Sequence, residues 1–485
     1  MNTQILVPSA PILVESTRSI GYSFETAVAD IIDNSISKHA NNIFIYFDSN
    51  NPQYLMVLDN GAGMDNNELI DAMKYGSKSS NDERDKDDLG RFGLGLKMAS
   101  LSQCRKLTVV SKKGSKLSGA VWDLDHIIET NNWELILLDD NDIKQVKYID
   151  KLNSYESGTI VLWENFDRIT KEAGDHSKIF DNKITITRAH VSLVFHRFLS
   201  ENNKISIFFN NELVQPTDPF FSSHQATQKL EEETKIINGN IIKIRPYILP
   251  YISKLNAEER QEIFGKDGIK LNQGFYVYRN KRLIIWGTWF RMTAYHELKQ
   301  LTRIRIDIPN TMDSLWEIDI KKSTASLPES IKKELKTIVE KSIFKSERVY
   351  TYRGRELNNN NITHIWNIIE ERDKKIKYCI NKEHNLYKSI FKHLGDEGKE
   401  LFGTFIESVE NFFPYKDVYA RLSKQQDCIE TNFIEDDKIY RACRSYIETL
   451  SVNEKLEFLN NLEKNELIMN RKDIINKLKE DFENE

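Results

Sequence analysis

The sequence predicts an α+β protein in three parts. Residues 22–39 place apolar side chains at helical spacing and are followed by short strand-like runs. Past residue 186 a second strand-rich stretch begins, and from 346 the chain becomes helical, highly charged and poor in glycine. The expected domains are therefore an N-terminal α/β sandwich over 1–185, a second α+β domain over 186–345, and a mainly helical region of unknown role over 346–485. The length of 485 residues agrees, because a single hydrophobic core does not grow to that size.

In the first part, Phe24, Val28, Ile31, Ile32, Ser35 and Ile36 recur at helical spacing, and Ser23 stands where an N-cap belongs. Strands Ile43–Phe47 and Tyr54–Leu58 follow, the second running straight into Asp59-Asn60-Gly61-Ala62-Gly63. A short helix over Asn66–Lys74 precedes the polar stretch Tyr75–Asp88, too hydrophilic for a core element and read as a mobile surface loop. A glycine-rich segment, Gly90-Arg91-Phe92-Gly93-Leu94-Gly95, then opens a helix that runs through Leu101. Strands are expected at Leu107–Val110, Gly119–Leu124, Trp133–Leu138, Val146–Ile149 and Thr159–Trp163. In the second part, a helix over Thr187–Glu201 leads to strands Ile205–Asn210, Ile241–Pro246, Gly274–Arg279, Arg282–Trp286, Leu301–Ile308 and Leu315–Ile320. Tyr278–Arg282 reads as a hairpin turn, and Pro328–Phe344 as a helix.

Composition excludes several classes. With 40% hydrophobic and 29% charged residues the chain suits a soluble globular protein. The net charge of −5 gives no bulk case for nucleic-acid binding. No apolar run approaches the ~20 residues of a membrane-spanning helix, and MNTQILVPSAPILVEST lacks a basic n-region, so a cytoplasmic protein without membrane contact is expected. Cys104, Cys379, Cys428 and Cys443 lack CxxC spacing, which argues against a zinc site or a disulfide framework.

Four clusters carry chemistry. Asp30 and Asn34 stand at i and i+4 on one helix face, where a carboxylate can polarise water and an amide oxygen can coordinate Mg²⁺. Taken alone, they read better as solvated residues. Asp59, with Gly61, Gly63 and Met64 beside it, can accept the exocyclic amino group of adenine while glycine backbone approaches the base; a hairpin turn explains Asn60-Gly61 equally well. Gly90, Arg91, Phe92, Gly93, Leu94, Gly95, Leu96 and Lys97 form a glycine-rich helix start able to present N–H groups to phosphate, with Lys97 adding charge; a flexible hinge is the alternative. The segment does not follow a strand in a βαβ unit, so a Rossmann site fails, and no GxxxxGK[ST] occurs. Thr159 offers a hydroxyl at a strand start, a weak signal by itself.

The order and spacing of the four clusters resemble the GHKL ATPases, the group of DNA gyrase, MutL, the large heat-shock chaperones, histidine kinases and MORC proteins. The stretch Gly93–Ser100, with its Lys after the last glycine, looks most like the MORC branch. The resemblance implies an ATP hydrolase with Mg²⁺ as cofactor. In it Asp30 is the general base, Asn34 the Mg²⁺ ligand and Asp59 the adenine acceptor. Gly93, Gly95 and Lys97 form the phosphate loop, Thr159 the adenine-side hydroxyl, and 77–88 the lid. It departs at Asp30, where the family usually has Glu; the shorter side chain implies slow hydrolysis or another group in that role. Ser37-Lys38 also stands where the family often has Asp-Ala.

The resemblance further implies that the second domain is a transducer that sends a Lys to the γ-phosphate. Strand alternation favours Lys322, with Lys321 second, although both can simply solvate a strand end. Lid closure and an ATP-dependent homodimer that grips DNA or an operon-encoded partner protein are implied too, with a setting in phage defence. The rival readings are a non-hydrolysing nucleotide switch and a chaperone-like ATPase acting on protein clients; a histidine kinase fits least. VYTYRGR at 349–355 interleaves aromatic and cationic residues and reads more readily as ordinary surface than as a nucleic-acid contact.

Overall fold

The computed structural model describes residues 3–4, 8–19, 21–50, 52–75, 95–172, 174–200, 205–251, 254–264, 272–295, 299–312, 316, 327–355, 363–370, 376–415, 417–418, 434–448, 450–469 and 471–482. The chain divides into two compact units, 1–346 and 347–485.

The larger unit opens with α1 (Ala10–Arg18), α2 (Phe24–Ser37), β1 (Asn42–Asp48), β2 (Tyr54–Asp59), α3 (Asn66–Met73) and α4 (Gly95–Gln103). It continues with β3 (Lys106–Lys113), β4 (Lys116–Asp123), α5 (Leu124–Thr130), β5 (Ile136–Leu138), α6 (Asp140–Gln145), α7 (Ile149–Asn153) and β6 (Ser157–Glu164). Helices α8 (Asp167–Thr170), α9 (His176–Val194) and α10 (His196–Ser200) lead to β7 (Ser206–Phe209) and β8 (Glu212–Leu213). The strands form an eight-stranded sheet in the order β5-β4-β3-β6-β2-β1-β7-β8, antiparallel except for the β1–β7 pair.

Two cores pack this sheet from opposite sides. On one face, Ala27, Val28, Ile31 and Ile32 of α2 join Ile43, Val57, Leu107, Val161 and Val191 in the main core. On the other, Met56, Leu58, Val110 and Ile160 are covered by Ile143, Ile149 and Leu152 of α6 and α7. Because strand side chains alternate, both faces must be apolar for a sheet covered twice, and β2 (YLMVLD) is apolar almost throughout. Phe24, at the start of α2, meets Trp163 and Phe180 edge-on with centroids 6.1 and 5.9 Å apart, which anchors the helix over the sheet.

The second sheet has strands β9 (Gln228–Lys229), β10 (Glu233–Ile237), β11 (Asn240–Ile248), β12 (Gly274–Arg279), β13 (Arg282–Thr288) and β14 (Thr302–Ile308), with α11 (Ala257–Phe264) between β11 and β12. Its order is β10-β11-β14-β12-β13, with β9 beside β11. Ile331, Leu335, Ile338 and Val339 of α12 (Glu329–Arg355) bury its apolar side with Ile242, Ile244, Ile304 and Ile306. The smaller unit pairs β15 (Trp366–Glu370) with β16 (Ile376–Ile380). It adds α13 (Asn385–His393), α14 (Asp396–Asn411), α15 (Asp436–Glu448), α16 (Val452–Asn460) and α17 (Lys472–Phe482).

Several elements depart from expectation, three of them near the candidate site or its sheet. The expected strand Val146–Ile149 is instead the junction of α6 and α7. Asp139 and Asp142 cap α6 reciprocally, and Tyr148 at φ 59° breaks the chain before α7. Helix α1 went unread, and α9 begins at His176, where Asp175 accepts from the N–H groups of Ser177 and Lys178. The expected strand Leu315–Ile320 lies outside the described residues except for Trp316, which is buried.

Candidate functional site

Helix α2 is the centre of the site. Ser23 caps it, accepting from the Thr26 N–H at 3.4 Å. Its buried side is not purely apolar: Asp30, Asp33 and Ser35 are all buried. A buried polar group is costly unless hydrogen-bonded, so their partners define the local structure. The Tyr22 hydroxyl donates to Asp30 Oδ2 at 3.0 Å, and Ser35 Oγ donates to Asp59 Oδ2 at 2.7 Å. Asp33 pairs with Arg282. Asn34, one helical turn beyond Asp30, is half-buried, and its carboxamide makes no hydrogen bond among the described residues.

Asp59 ends β2 under apolar cover. It accepts from Ser35 and, through Oδ1, from the Gly61 N–H at 2.8 Å, and it has no ion-pair partner among the described residues. Burial pushes its carboxyl pKa up, against the lowering effect of the Gly61, Ser35 and Thr159 donors. Such a carboxylate is suited to accept from a neutral N–H donor.

Around it the glycines are sterically required. Gly63 has φ +67°, and a Cβ there would fall 1.8 Å from the Lys112 carbonyl oxygen; one at Gly158 would fall 2.2 Å from the Asp59 carbonyl oxygen. Thr159 lies directly opposite Asp59 in the β2–β6 register. Its hydroxyl lies 2.9 Å from Ser111 Oγ, which accepts from the Met64 N–H at 2.8 Å. Asp59, Gly61, Gly63, Met64 and Thr159 are thus brought into one hydrogen-bonded wall, with Ser35 and Ser111 as its ties.

The start of α4 closes on Asp30, since a Cβ on Gly95 would lie 3.7 Å from Asp30 Oδ2. Leu96 is half-buried beside it. Lys97 is placed differently from the expected phosphate-loop cation. It is buried, and its Nζ donates to the carbonyls of Ala72 and Lys74 at 2.8 and 2.9 Å, at the C-terminal end of α3. The physical reason is that α3 ends with unsatisfied carbonyls and negative dipole, which a buried ammonium compensates. Burial lowers the Lys97 pKa to about 8. Gly90, Arg91, Phe92, Gly93 and Leu94, the lid at 77–88, and Lys321 and Lys322 lie outside the described residues.

The described residues contain no cluster of three His, Cys, Asp or Glu able to hold a metal. The unengaged carboxamide of Asn34 beside Asp30 fits a different arrangement, in which Mg²⁺ takes one protein oxygen and completes its shell with ligand phosphates and water. Reading the sequence missed Tyr22, Ser35, Ser111 and Arg282. For Ser35 a signal existed, as a polar residue on the apolar side of a helix; Tyr22 and Arg282 left none.

Residues 22–159 match the family described as "Histidine kinase-, DNA gyrase B-, and HSP90-like ATPase". ATPase morc-1 of Caenorhabditis elegans is 34% identical over 89 residues, 18% of this chain and 10% of that protein. ATPase MORC2B of Mus musculus is 33% identical over 96 residues, 19% and 9% of the two chains. The chain therefore spans about a tenth of the length of the curated relatives it matches.

Proposed function

Residues 22–159 are a GHKL-type ATPase domain, and from that premise we propose that the chain binds and slowly hydrolyses Mg-ATP between α2, the end of β2 and the start of α4. The observation that carries this reading is Asp59, a buried carboxylate held by Ser35 and Gly61 with no cation beside it among the described residues. Adenine's amino group supplies the neutral donor such a group accepts, with Thr159, Gly61, Gly63 and Met64 lining the base. The N–H groups at the start of α4 and the 90–97 segment face the phosphates. Asn34 would hold Mg²⁺, which neutralises phosphate charge when bound.

Asp30 takes the proton of the attacking water. The water oxygen bonds to the γ-phosphorus and the bond to the β-phosphate oxygen breaks, releasing ADP and phosphate. The Tyr22 hydroxyl, donating to Asp30 Oδ2 at 3.0 Å, holds the carboxylate beside the start of α4. Lys322, or failing it Lys321, reaches the γ-phosphate from the second domain. The proposal extends to lid closure and an ATP-dependent homodimer that engages DNA or a partner protein in the cytoplasm, with roles in DNA transactions and phage defence.

A non-hydrolysing switch is the second reading. It is favoured by the short side chain at position 30, one oxygen of which already serves Tyr22. One experiment separates the two. Wild type is expected to release phosphate from ATP. Asp59→Asn, whose Nδ2 cannot accept, is expected to weaken nucleotide binding by about tenfold or more. Asp30→Ala should bind normally and lose about a hundredfold in turnover. Binding without hydrolysis in wild type establishes the switch; unchanged affinity in Asp59→Asn overturns the site.

A further inference from the structure

A buried ion pair ties the two sheets of the larger unit together at helix α2. Arg282 Nε lies 2.8 Å from Asp33 Oδ1 and 2.7 Å from Oδ2, across 249 residues of sequence. Both side chains are buried. Arg282 opens β13, directly after the two-residue turn Asn280-Lys281, whose φ angles of 47° and 71° are those of a tight hairpin. Its guanidinium also covers the Phe195 ring at 5.2 Å and donates to the Leu283 carbonyl at 2.9 Å. His190 of α9 stands close to both charges and is kept neutral by burial. The hairpin therefore carries a fixed cation out of the second sheet and seats it on the helix that bears the candidate base and metal ligand.

Stability alone is a poor reason for this pair. Desolvating two charges costs about as much as their attraction returns, and an apolar pair of equal volume is often as stable. Geometry is the better reason. Asp33 immediately precedes Asn34 and lies one turn after Asp30, so an Arg whose Nε–H is shared by both oxygens of Asp33 and whose Nη1 is tied to the Leu283 carbonyl sets both the rotation and the axial position of α2. Another ion pair of the same seam, Arg197 of α10 with Asp307 of β14, has no hydrogen bond or ion pair to α2 among the described residues.

We infer that Arg282 is a positioning residue, through which the β12–β13 hairpin of the second sheet holds α2 in the register that Asp30 and Asn34 need. This rests on the ATPase reading above. It makes the second sheet a determinant of turnover through α2, independently of any lysine contact with phosphate.

The test compares Arg282→Gln, Arg282→Lys and Arg197→Gln in the full chain. Measured are kcat per folded molecule, the Kd of a non-hydrolysable ATP analogue, Tm, and amide hydrogen exchange over residues 24–37. Arg282→Gln is expected to lower kcat about tenfold with Kd changed less than about twofold, and to speed exchange in α2. Arg282→Lys should regain part of kcat, since it keeps the charge and loses the planar guanidinium that also reaches the Leu283 carbonyl. Arg197→Gln should lower Tm while leaving kcat and α2 exchange as in wild type. Equal kcat in Arg282→Gln and Arg197→Gln overturns the inference, because the seam would then act only through stability. Absence of turnover in wild type sinks the ATPase reading alone; exchange in α2 still decides, and unchanged exchange in Arg282→Gln overturns the positioning role. Should Arg282→Gln not fold, Asp33→Asn replaces it in the same comparison.

Discussion

His190 shows what a half-buried ring with a buried nitrogen costs. Its ring stands 5.8 Å from Trp286, and its Nε2 has no hydrogen-bond partner among the described residues. Burial first, and the Arg282 charge second, bring its pKa from 6.5 to about 3. The sign follows directly. The unfolded chain binds a proton as pH falls through 6.5, and the folded chain does not until about 3, so stability is intact above 6.5 and declines across that window. His190→Gln, which cannot protonate, is expected to flatten the acid side of the Tm–pH profile between pH 6.5 and 3. An acid limb as steep as that of wild type would show that another group sets it. At this scale the placement of Asp30 and Asn34 one helical turn apart was legible, because i and i+4 on a helix is a local relation. Lys97 was not legible: a Lys after a glycine-rich segment carries the same signal whether it meets a phosphate or the end of α3.

At the scale of elements, the turn after β2 is the part most tightly constrained by sterics. Gly63 is both left-handed and in contact with the Lys112 backbone, so any side chain must move β3 or the turn. Gly63→Ala is expected to cost about 1–3 kcal/mol and to weaken nucleotide binding, measured as a drop in Tm together with a raised Kd. A drop in Tm without a change in Kd would mean that the turn serves the fold alone. The turn was readable because Asp-x-Gly-x-Gly names its own backbone needs. The α6–α7 junction was misread because Val146, Tyr148 and Ile149 carry strand propensity, while the deciding cap at Asp139 lies several residues upstream.

At the scale of the whole molecule, the two units each have a core of their own. Ile439, Cys443, Ile447, Leu462, Ile468 and Leu478 form that of the smaller one. A chain ending at Arg355 is therefore expected to unfold cooperatively and to bind the ATP analogue with Kd within about twofold of the full chain. Loss of cooperative unfolding would show that the larger unit depends on residues 356–485. Among the described residues no helix is long and apolar enough to cross a membrane.

The sequence by itself determined whatever is settled within a few residues: the amphipathic α2 with its Ser23 cap, the glycines that the turn after β2 demands, the hairpin at Asn280-Lys281, and the order of the motifs. Only the tertiary structure decided which partner each buried polar group has. Ser35 meets Asp59, Tyr22 meets Asp30, Lys97 meets the end of α3, and Arg282 meets Asp33. The reason is physical. These interactions are strong only where packing has removed water, and which polar atoms share a water-free space is a property of the folded sheets rather than of any local stretch of chain.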